Sequence, residues 1–313
     1  GDGVSIKIAT HMPLSLLEPV SAAFPDVEIV SIPVDGEVPE DLEAEILLTL
    51  PWGTPNLAAV LEKGIRWVHA YGTGVNGFPF ELLGDRILTC SRGASATAIS
   101  EWVMAVLLAA EKRLPETWIN SKPERWSTAN LGSLAGRRLA LIGFGGIAQA
   151  VARRALPFDM LVSGYRRTEA ESPVPGVKIV SSLKELLADA DHVVVAAPET
   201  QSTHHLLDDE TFGMMKDGVH LVNVARGGLV NQDALRRALD CGRVSLATLD
   251  CVDPEPLPAG HWLYTHPQVR LTPHISWAGP TSHSGLMDRF ATNLGRYLKG
   301  QALEHQVDPV EQY

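Results

Sequence analysis

The stretch Leu141-Ile142-Gly143-Phe144-Gly145-Gly146-Ile147-Ala148 decides the fold. It follows an apolar run, Leu139-Ala140-Leu141-Ile142, that reads as a strand. It opens a segment, Ile147 to Leu156, that reads as a helix. The pattern is G-x-G-x-x-[GA] in strand–turn–helix context. The first glycine permits the tight turn, the second lets the backbone approach a pyrophosphate, and the small residue at Ala148 lets helix and strand pack closely. A helix N-terminus behind such a turn presents unpaired N–H groups and the positive end of its dipole to an anion. A plain βα turn can carry the same glycines, so the neighbouring sequence has to decide.

Working outward, strands and helices alternate on both sides. Upstream, residues 4–9, 27–30, 45–49 and 66–70 read as strands, with helices predicted over Pro13–Phe24 and Thr54–Lys63. A long apolar helix is predicted over Ala96–Arg113. It contains Trp102, Met104, Val106 and Leu107, which read as core or subunit interface. Downstream, strands are predicted over 160–163, 192–196, 220–224 and 246–249, with a short one over Val269–Leu271. Alternation of this kind predicts parallel sheets. A chain of 313 residues is long for one core and predicts two domains.

About 20 residues past the glycines, folds that bind NAD place an acid on the ribose 2′-hydroxyl. Here the chain reads Gly164-Tyr165-Arg166-Arg167-Thr168. Two guanidinium groups and a hydroxyl suit a 2′-phosphate, which a carboxylate would repel. NADP(H) is therefore the preferred cofactor, with NAD(H) possible. A solvated basic loop is the competing reading.

Three further motifs each follow a predicted strand. Asn223-Val224-Ala225-Arg226-Gly227 places an Arg where ligands bind in open α/β sheets, and Arg grips a carboxylate with two parallel bonds. Asp250-Cys251-Val252-Asp253-Pro254-Glu255-Pro256-Leu257-Pro258 places acids in a proline-stiffened loop. Thr272-Pro273-His274 offers the best acid–base candidate among the 11 histidines.

Together these pieces resemble the D-isomer-specific 2-hydroxyacid dehydrogenase family, in the family's order and over nearly the whole chain. The resemblance implies an α/β protein of two Rossmann-like, doubly wound parallel-sheet domains. Residues 1–97 and 284–313 would form the substrate domain, and residues 98–283 the inserted dinucleotide-binding domain. It implies interconversion of a 2-keto and a 2-hydroxy acid. Arg226 would bind the substrate carboxylate and carbonyl oxygen, and His274 would exchange the proton. Glu255 would hydrogen-bond His274 and favour its protonated form. Backbone N–H groups of Thr73 and Gly74 would hold the carboxylate. Gly143, Phe144, Gly145, Gly146 and Ile147 would form the dinucleotide turn. Asp250 would meet the nicotinamide carboxamide, and Ala197, Pro198, Thr203 and Ala225 would line the cofactor cleft. A homodimer through the cofactor domains is implied.

Glyoxylate or hydroxypyruvate is the favoured substrate, with a bulkier, phenylpyruvate-type acid as the alternative. Formate oxidation is disfavoured, because those relatives carry Gln in place of the Glu. A dinucleotide-sensing corepressor or scaffold of the same fold is the rival from another class. Departures from the family pattern are Asn76 for a frequent Asp, Trp277 for smaller residues, and Trp52 in a first-domain loop. They bear on which substrate is used.

Bulk properties exclude other classes. The net charge of −11 argues against nucleic acid and anionic membranes as partners. Three cysteines, Cys90, Cys241 and Cys251, match no zinc spacing, so no metal is expected and a reducing, cytoplasmic setting is. The opening residues lack a basic start followed by an apolar run, so no signal peptide is expected. No run is long and apolar enough to predict a membrane span. His204-His205 reads as a solvated loop, and Asp208-Asp209-Glu210 as a helix start. No nucleophile elbow or P-loop occurs.

Overall fold

The computed structural model describes residues 5–168 and 170–313. Val4, where the first strand was expected to begin, lies outside the described residues. The chain divides into two compact units, Gly1–Ser95 with Pro280–Tyr313, and Ala96–Gly279.

The first unit carries β1 (Lys7–Thr10), α1 (Glu18–Ala23), β2 (Glu28–Ser31), β3 (Ile46–Thr49), α2 (Leu57–Leu61), β4 (Trp67–Ala70) and β5 (Ile87–Cys90). The strands form one parallel sheet in the order β2-β1-β3-β4-β5. β3 and β4 are buried at every position, as parallel strands covered on both faces must be.

The second unit carries α3 (Ala96–Lys112), β6 (Arg138–Ile142), α4 (Gly146–Ala155), β7 (Leu161–Tyr165), β8 (Lys178–Val180), α5 (Leu183–Leu187), β9 (His192–Val195), α6 (Asp209–Gly213), β10 (Val219–Asn223), α7 (Gln232–Asp240), β11 (Val244–Leu249) and β12 (Val269–Leu271). The final helix, α8 (Ser282–Leu298), returns to the first unit. The seven strands lie parallel in the order β12-β11-β10-β9-β6-β7-β8. That is the doubly wound dinucleotide-fold order with one strand added, and the chain reverses direction across the sheet between β6 and β9. One face packs under α3 and α4 through Val103, Leu107, Ala148 and Val151, all fully buried. Asp208 caps α6 in a reciprocal capping box with Thr211, as its sequence position predicts.

Two strands were not read from the sequence, β5 and β8. The second is three residues long, an edge strand with three ladder pairs to β7. The predicted helices upstream are shorter than expected: α1 begins after a 3₁₀ turn over Leu14–Leu17, and α2 spans five residues. Among the described residues, no helix is long and apolar enough to cross a membrane.

Both sheets bury histidines. His69 on β4 is fully buried, and its two nitrogens meet Thr89 Oγ1 at 2.7 Å and Ser91 Oγ at 3.0 Å. Trp67 Nε1 donates to Thr89 Oγ1, and Ser91 Oγ donates to Leu286 O. These outer bonds orient the chain. The Thr89 hydroxyl then donates to Nδ1, and His69 donates from Nε2 to Ser91, so every group is satisfied with the ring neutral. In the second unit, His192 bridges Glu111 Oε1 (2.9 Å) and His220 Nδ1 (2.9 Å), and His220 Nε2 meets Thr248 Oγ1 at 2.8 Å. Burial holds the His220 ring well below the ordinary histidine range.

Candidate active site

The glycine turn sits at the reversal between β6 and β9. Gly143 has φ of 90°, and a Cβ there would lie 2.8 Å from Ala197 Cα and 2.9 Å from Ala196 O. Only glycine fits, because the turn is left-handed and presses on the end of β9. α4 starts at Gly146 behind the N-cap Gly145, which offers no side-chain acceptor. Its first N–H groups are therefore left for an external acceptor. Ala148, in the first turn of α4, is fully buried. A cradle without Cβ atoms before an uncapped helix end fits a dinucleotide pyrophosphate.

Phe144 is buried, and its ring occupies the space that a Cβ on Gly164 of β7 would need. Its carbonyl accepts from Gln149 Nε2 at 3.0 Å and from Arg166 Nη2 at 2.9 Å, and the Arg166 guanidinium lies 5.8 Å from the ring centroid. Arg166 thus braces the turn. A guanidinium has five N–H donors, so this one bond does not exhaust it. Arg167 is exposed and donates to Ser202 Oγ, and Thr168 is exposed beside it. Ala197 is buried next to Gly143, and Thr203 Oγ1 donates to Pro198 O at 2.7 Å, which shapes the loop after β9.

The remaining motifs end three neighbouring strands. After β10, Asn223 is 1% exposed and folds the next turn back on itself. It accepts from Ala225 N at 3.0 Å and donates to Arg226 O at 3.0 Å. Arg226 is half-buried, with Nη1 donating to Ala225 O at 2.7 Å. Ala225 is buried. A Cβ on Gly227 would lie 2.0 Å from Val252 C and 2.1 Å from Val252 O. Glycine is obligatory here, where the Arg226 turn and the loop after β11 pass backbone to backbone.

In that second loop, Gln232 holds both polar groups of Asp253, accepting from its N–H at 2.9 Å and donating to its carbonyl at 2.7 Å. Glu255 Oε1 accepts from Val252 N at 3.2 Å, which leaves Oε2 to His274 Nδ1 at 2.7 Å. The imidazole and carboxylate are each a little over one third exposed.

Asp250 was expected to meet a nicotinamide carboxamide. The structure places it 1% exposed, already accepting from Thr272 Oγ1 (2.7 Å), Ile275 N (2.8 Å) and Ser276 N (3.0 Å). A carboxylate has about four acceptor sites, and three of those on Asp250 bind the loop that carries His274. His274 itself has φ of 55°, a conformation disfavoured for a residue with a Cβ. Its N–H donates to Asp250 O and Thr272 O, and its carbonyl accepts from Trp277 Nε1 at 2.7 Å. Asp250 and Trp277 together hold the catalytic candidate in this uncommon backbone state.

Cys251, which the sequence reading left unassigned, is 1% exposed with Sγ donating to Ala225 O at 3.4 Å. Burial, then the Asp250 charge, pushes its thiol pKa up, so it is no thiolate at neutral pH. In the first unit, Thr73 and Gly74 are half-buried in the loop after β4. A Cβ on the adjacent Gly72 would meet Pro51 Cγ at 2.5 Å.

Residues 104–276 match the D-isomer specific 2-hydroxyacid dehydrogenase, NAD binding domain. The chain belongs to the D-isomer specific 2-hydroxyacid dehydrogenase family. It is 37% identical over 239 residues to the hydroxypyruvate reductase of Thermotoga maritima, covering 73% of this chain and 77% of that one. It is 29% identical over 293 residues to the D-3-phosphoglycerate dehydrogenase of Methanocaldococcus jannaschii. That match covers 90% of this chain but 55% of the longer relative. Among solved structures, a D-isomer specific 2-hydroxyacid dehydrogenase from Xanthobacter autotrophicus Py2 in complex with NADPH and MES superposes with a TM-score of 0.87 at 25% identity. It covers 99% of this chain and all of the other. The matched residues lie within the second unit, which is the NAD(P)-binding domain.

Proposed function

We propose that the chain is an NADPH-preferring reductase of small 2-keto acids, glyoxylate or hydroxypyruvate first. The observation that carries the reading is the 2.7 Å His274–Glu255 pair, whose members follow β12 and β11, the next two strands of the sheet beyond β10, which leads into the Arg226 turn. When bound, the nicotinamide supplies the hydride to the carbonyl carbon. Arg226 offers its forked N–H groups to the substrate carboxylate and carbonyl oxygen. His274 delivers its proton to the developing alkoxide from Nε2, since Nδ1 faces Glu255. Glu255, through its 2.7 Å contact with Nδ1, fixes the ring's orientation. Asp250 and Trp277 hold the backbone that presents the ring. Arg167 and Thr168 are the proposed 2′-phosphate contacts, with Arg166 bracing the turn beneath them and adding a donor.

The names of the relatives support the substrate class, and the NADPH in the related crystal structure supports the cofactor. The test is loss of NADPH absorbance with glyoxylate, hydroxypyruvate, phenylpyruvate and 3-phosphohydroxypyruvate. Turnover highest with the first two is expected. Dominant turnover of either larger acid would reassign the substrate. Tight NADPH binding without turnover of any acid would favour the corepressor or scaffold reading.

A further inference from the structure

The cysteines look unrelated to chemistry in the sequence, yet one of them lies under the acid–base pair. Cys251 Sγ, a Glu255 carboxylate oxygen and a His274 ring nitrogen all fall within 4.8 Å of one another. Among the described residues, no other trio of His, Cys, Asp or Glu meets that spacing. Sulfur, oxygen and imidazole nitrogen are the ligand types zinc accepts, and three protein ligands with one open position make a recurrent arrangement. A soft thiolate in the set selects against Mg²⁺ and Ca²⁺ and for Zn²⁺ and its neighbours.

The supports differ in a way that suits capture of an ion from solvent. Cys251 is fixed, with Sγ against the Ala225 carbonyl at 3.4 Å and 1% exposure. Glu255 and His274 are 37% and 38% exposed and can move. Ligand atoms around tetrahedral zinc lie roughly 3.3–3.6 Å apart, from bond lengths of about 2.0–2.3 Å. Closing the trio therefore asks for side-chain shifts of about 1 Å, within reach of the two mobile groups. Gly227 pins the Arg226 turn against Val252, next to Cys251, so the buried ligand needs no backbone change.

We propose that Cys251, Glu255 and His274 form a site for a thiophilic divalent cation of the Zn²⁺ class, and that occupancy disables the acid–base pair. On binding, the Cys251 S–H bond is replaced by a metal–sulfur bond and one proton leaves to solvent. Glu255 binds as the carboxylate, and His274 binds as the neutral ring through the nitrogen that lacks a proton. The His274–Glu255 hydrogen bond is traded for two metal bonds, so neither group serves a substrate. Binding stands on the geometry alone. The loss of turnover rests on the reductase reading above, and the experiment separates the two.

Co²⁺ is the probe, added to the full chain carrying Cys241→Ser, which removes the exposed thiol. We expect a thiolate-to-cobalt charge-transfer band and visible d–d bands that saturate at one ion per chain. Cys251→Ser and Cys251→Ala abolish the charge-transfer band. Glu255→Gln and His274→Gln each weaken binding by about 10–100-fold. Cobalt binding without that band, or with the same band and affinity in both Cys251 variants, overturns the site. Two Cys251 substitutions are used so that one failing to fold leaves the other. In the second arm, Zn²⁺ displaces cobalt and suppresses NADPH-dependent glyoxylate turnover. Each protein is normalised to its own metal-free rate, and Cys251→Ala resists suppression by at least about 10-fold in Zn²⁺ concentration. Full turnover at saturating Zn²⁺ overturns the disabling of the pair. Absence of turnover in metal-free protein sinks the reductase reading, while the cobalt spectrum still decides the site.

Discussion

Protonation of His69 should open the first unit in mild acid. Its pKa is pushed down from 6.5 to about 3, first by burial and then by the nearby His305 charge. Everything packed on the ring agrees with a neutral state. Thr89 donates to it, Ser91 accepts from it, and Phe290 of α8 and Trp67 of the same strand close it off at centroid distances of 5.3 and 6.2 Å. Among the described residues no carboxylate is hydrogen-bonded to the ring, and a second proton on it would face a hydroxyl already donating.

Between pH 6.5 and 3 the unfolded chain binds a proton that the folded chain refuses. The stabilisation from a neutral His69 is therefore whole above 6.5 and is lost progressively as pH falls toward 3. The full shift corresponds to about 4–5 kcal/mol, and the part lost between pH 6 and pH 4 is about 2.5 kcal/mol. His69→Gln keeps a donor for Ser91 but cannot titrate. It should cost about 1–3 kcal/mol at neutral pH through lost packing on Phe290, and flatten the acid slope. Hydrogen exchange of the β4 and β5 amides, corrected for intrinsic pH dependence, reads the opening free energy of this unit without assuming that both units unfold together. Equal losses in wild type and His69→Gln between pH 6 and 4 would refute the assignment.

Three further outcomes follow from the second unit. Arg226→Lys keeps the charge and loses the fork, so kcat/KM for glyoxylate should fall about 10–100-fold with the NADPH dissociation constant unchanged; near-normal turnover in a folded variant removes Arg226 from the reaction. Arg167→Ala should weaken NADPH by about 10-fold at low salt, less at high salt, and leave NADH kinetics alone, whereas Arg166→Ala should also loosen the Phe144 turn and impair both cofactors. Identical kinetics for the two cofactors in wild type would count against the 2′-phosphate contact. Gly227→Ala drives a Cβ into the Val252 carbonyl and should lower stability by about 3 kcal/mol, read as a shift in the urea midpoint; a shift below a few tenths of a kcal/mol would mean that the two loops can part.

Much of the scaffold is readable from local pattern. β6 and β9 carry unbroken apolar runs, Leu139–Ile142 and Val193–Val195, and the Gly143 turn announces itself because its constraint, a positive φ against Ala197, selects glycine at a fixed offset from the strand. Arg226, Glu255 and His274 stand out in the sequence because each lies a few residues past a predicted strand, and in the structure Glu255 Oε2 lies 2.7 Å from His274 Nδ1. What escapes pattern is set by partners distant in the chain. β8 offers three residues with no alternation to detect. The histidine chains depend on a strand neighbour and a helix, as with His192 and Glu111, 81 positions apart. Arg166 reads as a charge for a ligand until Phe144 O is seen beside it.

The order of the motifs along the chain is itself a consequence of the sheet. β10, β11 and β12 are consecutive in sequence and adjacent in space, each joined to the next by a parallel crossover. Neighbouring strands lie about 4.8 Å apart, so groups at three successive strand ends span about 10 Å. Arg226, Glu255 and His274 then follow three adjacent strands without any loop of unusual length. The demand falls instead on the strand ends, and the chain meets it with two buried polar residues, Asn223 and Asp250, and one exposed indole, Trp277. Asn223 closes the first turn, Asp250 fastens the second loop to the third, and Trp277 secures the carbonyl of His274. Spacing by the sheet and orientation by these three residues are separable contributions. Asp250 is the residue on which both depend, because it directly follows β11 and its side chain ties down the His274 loop.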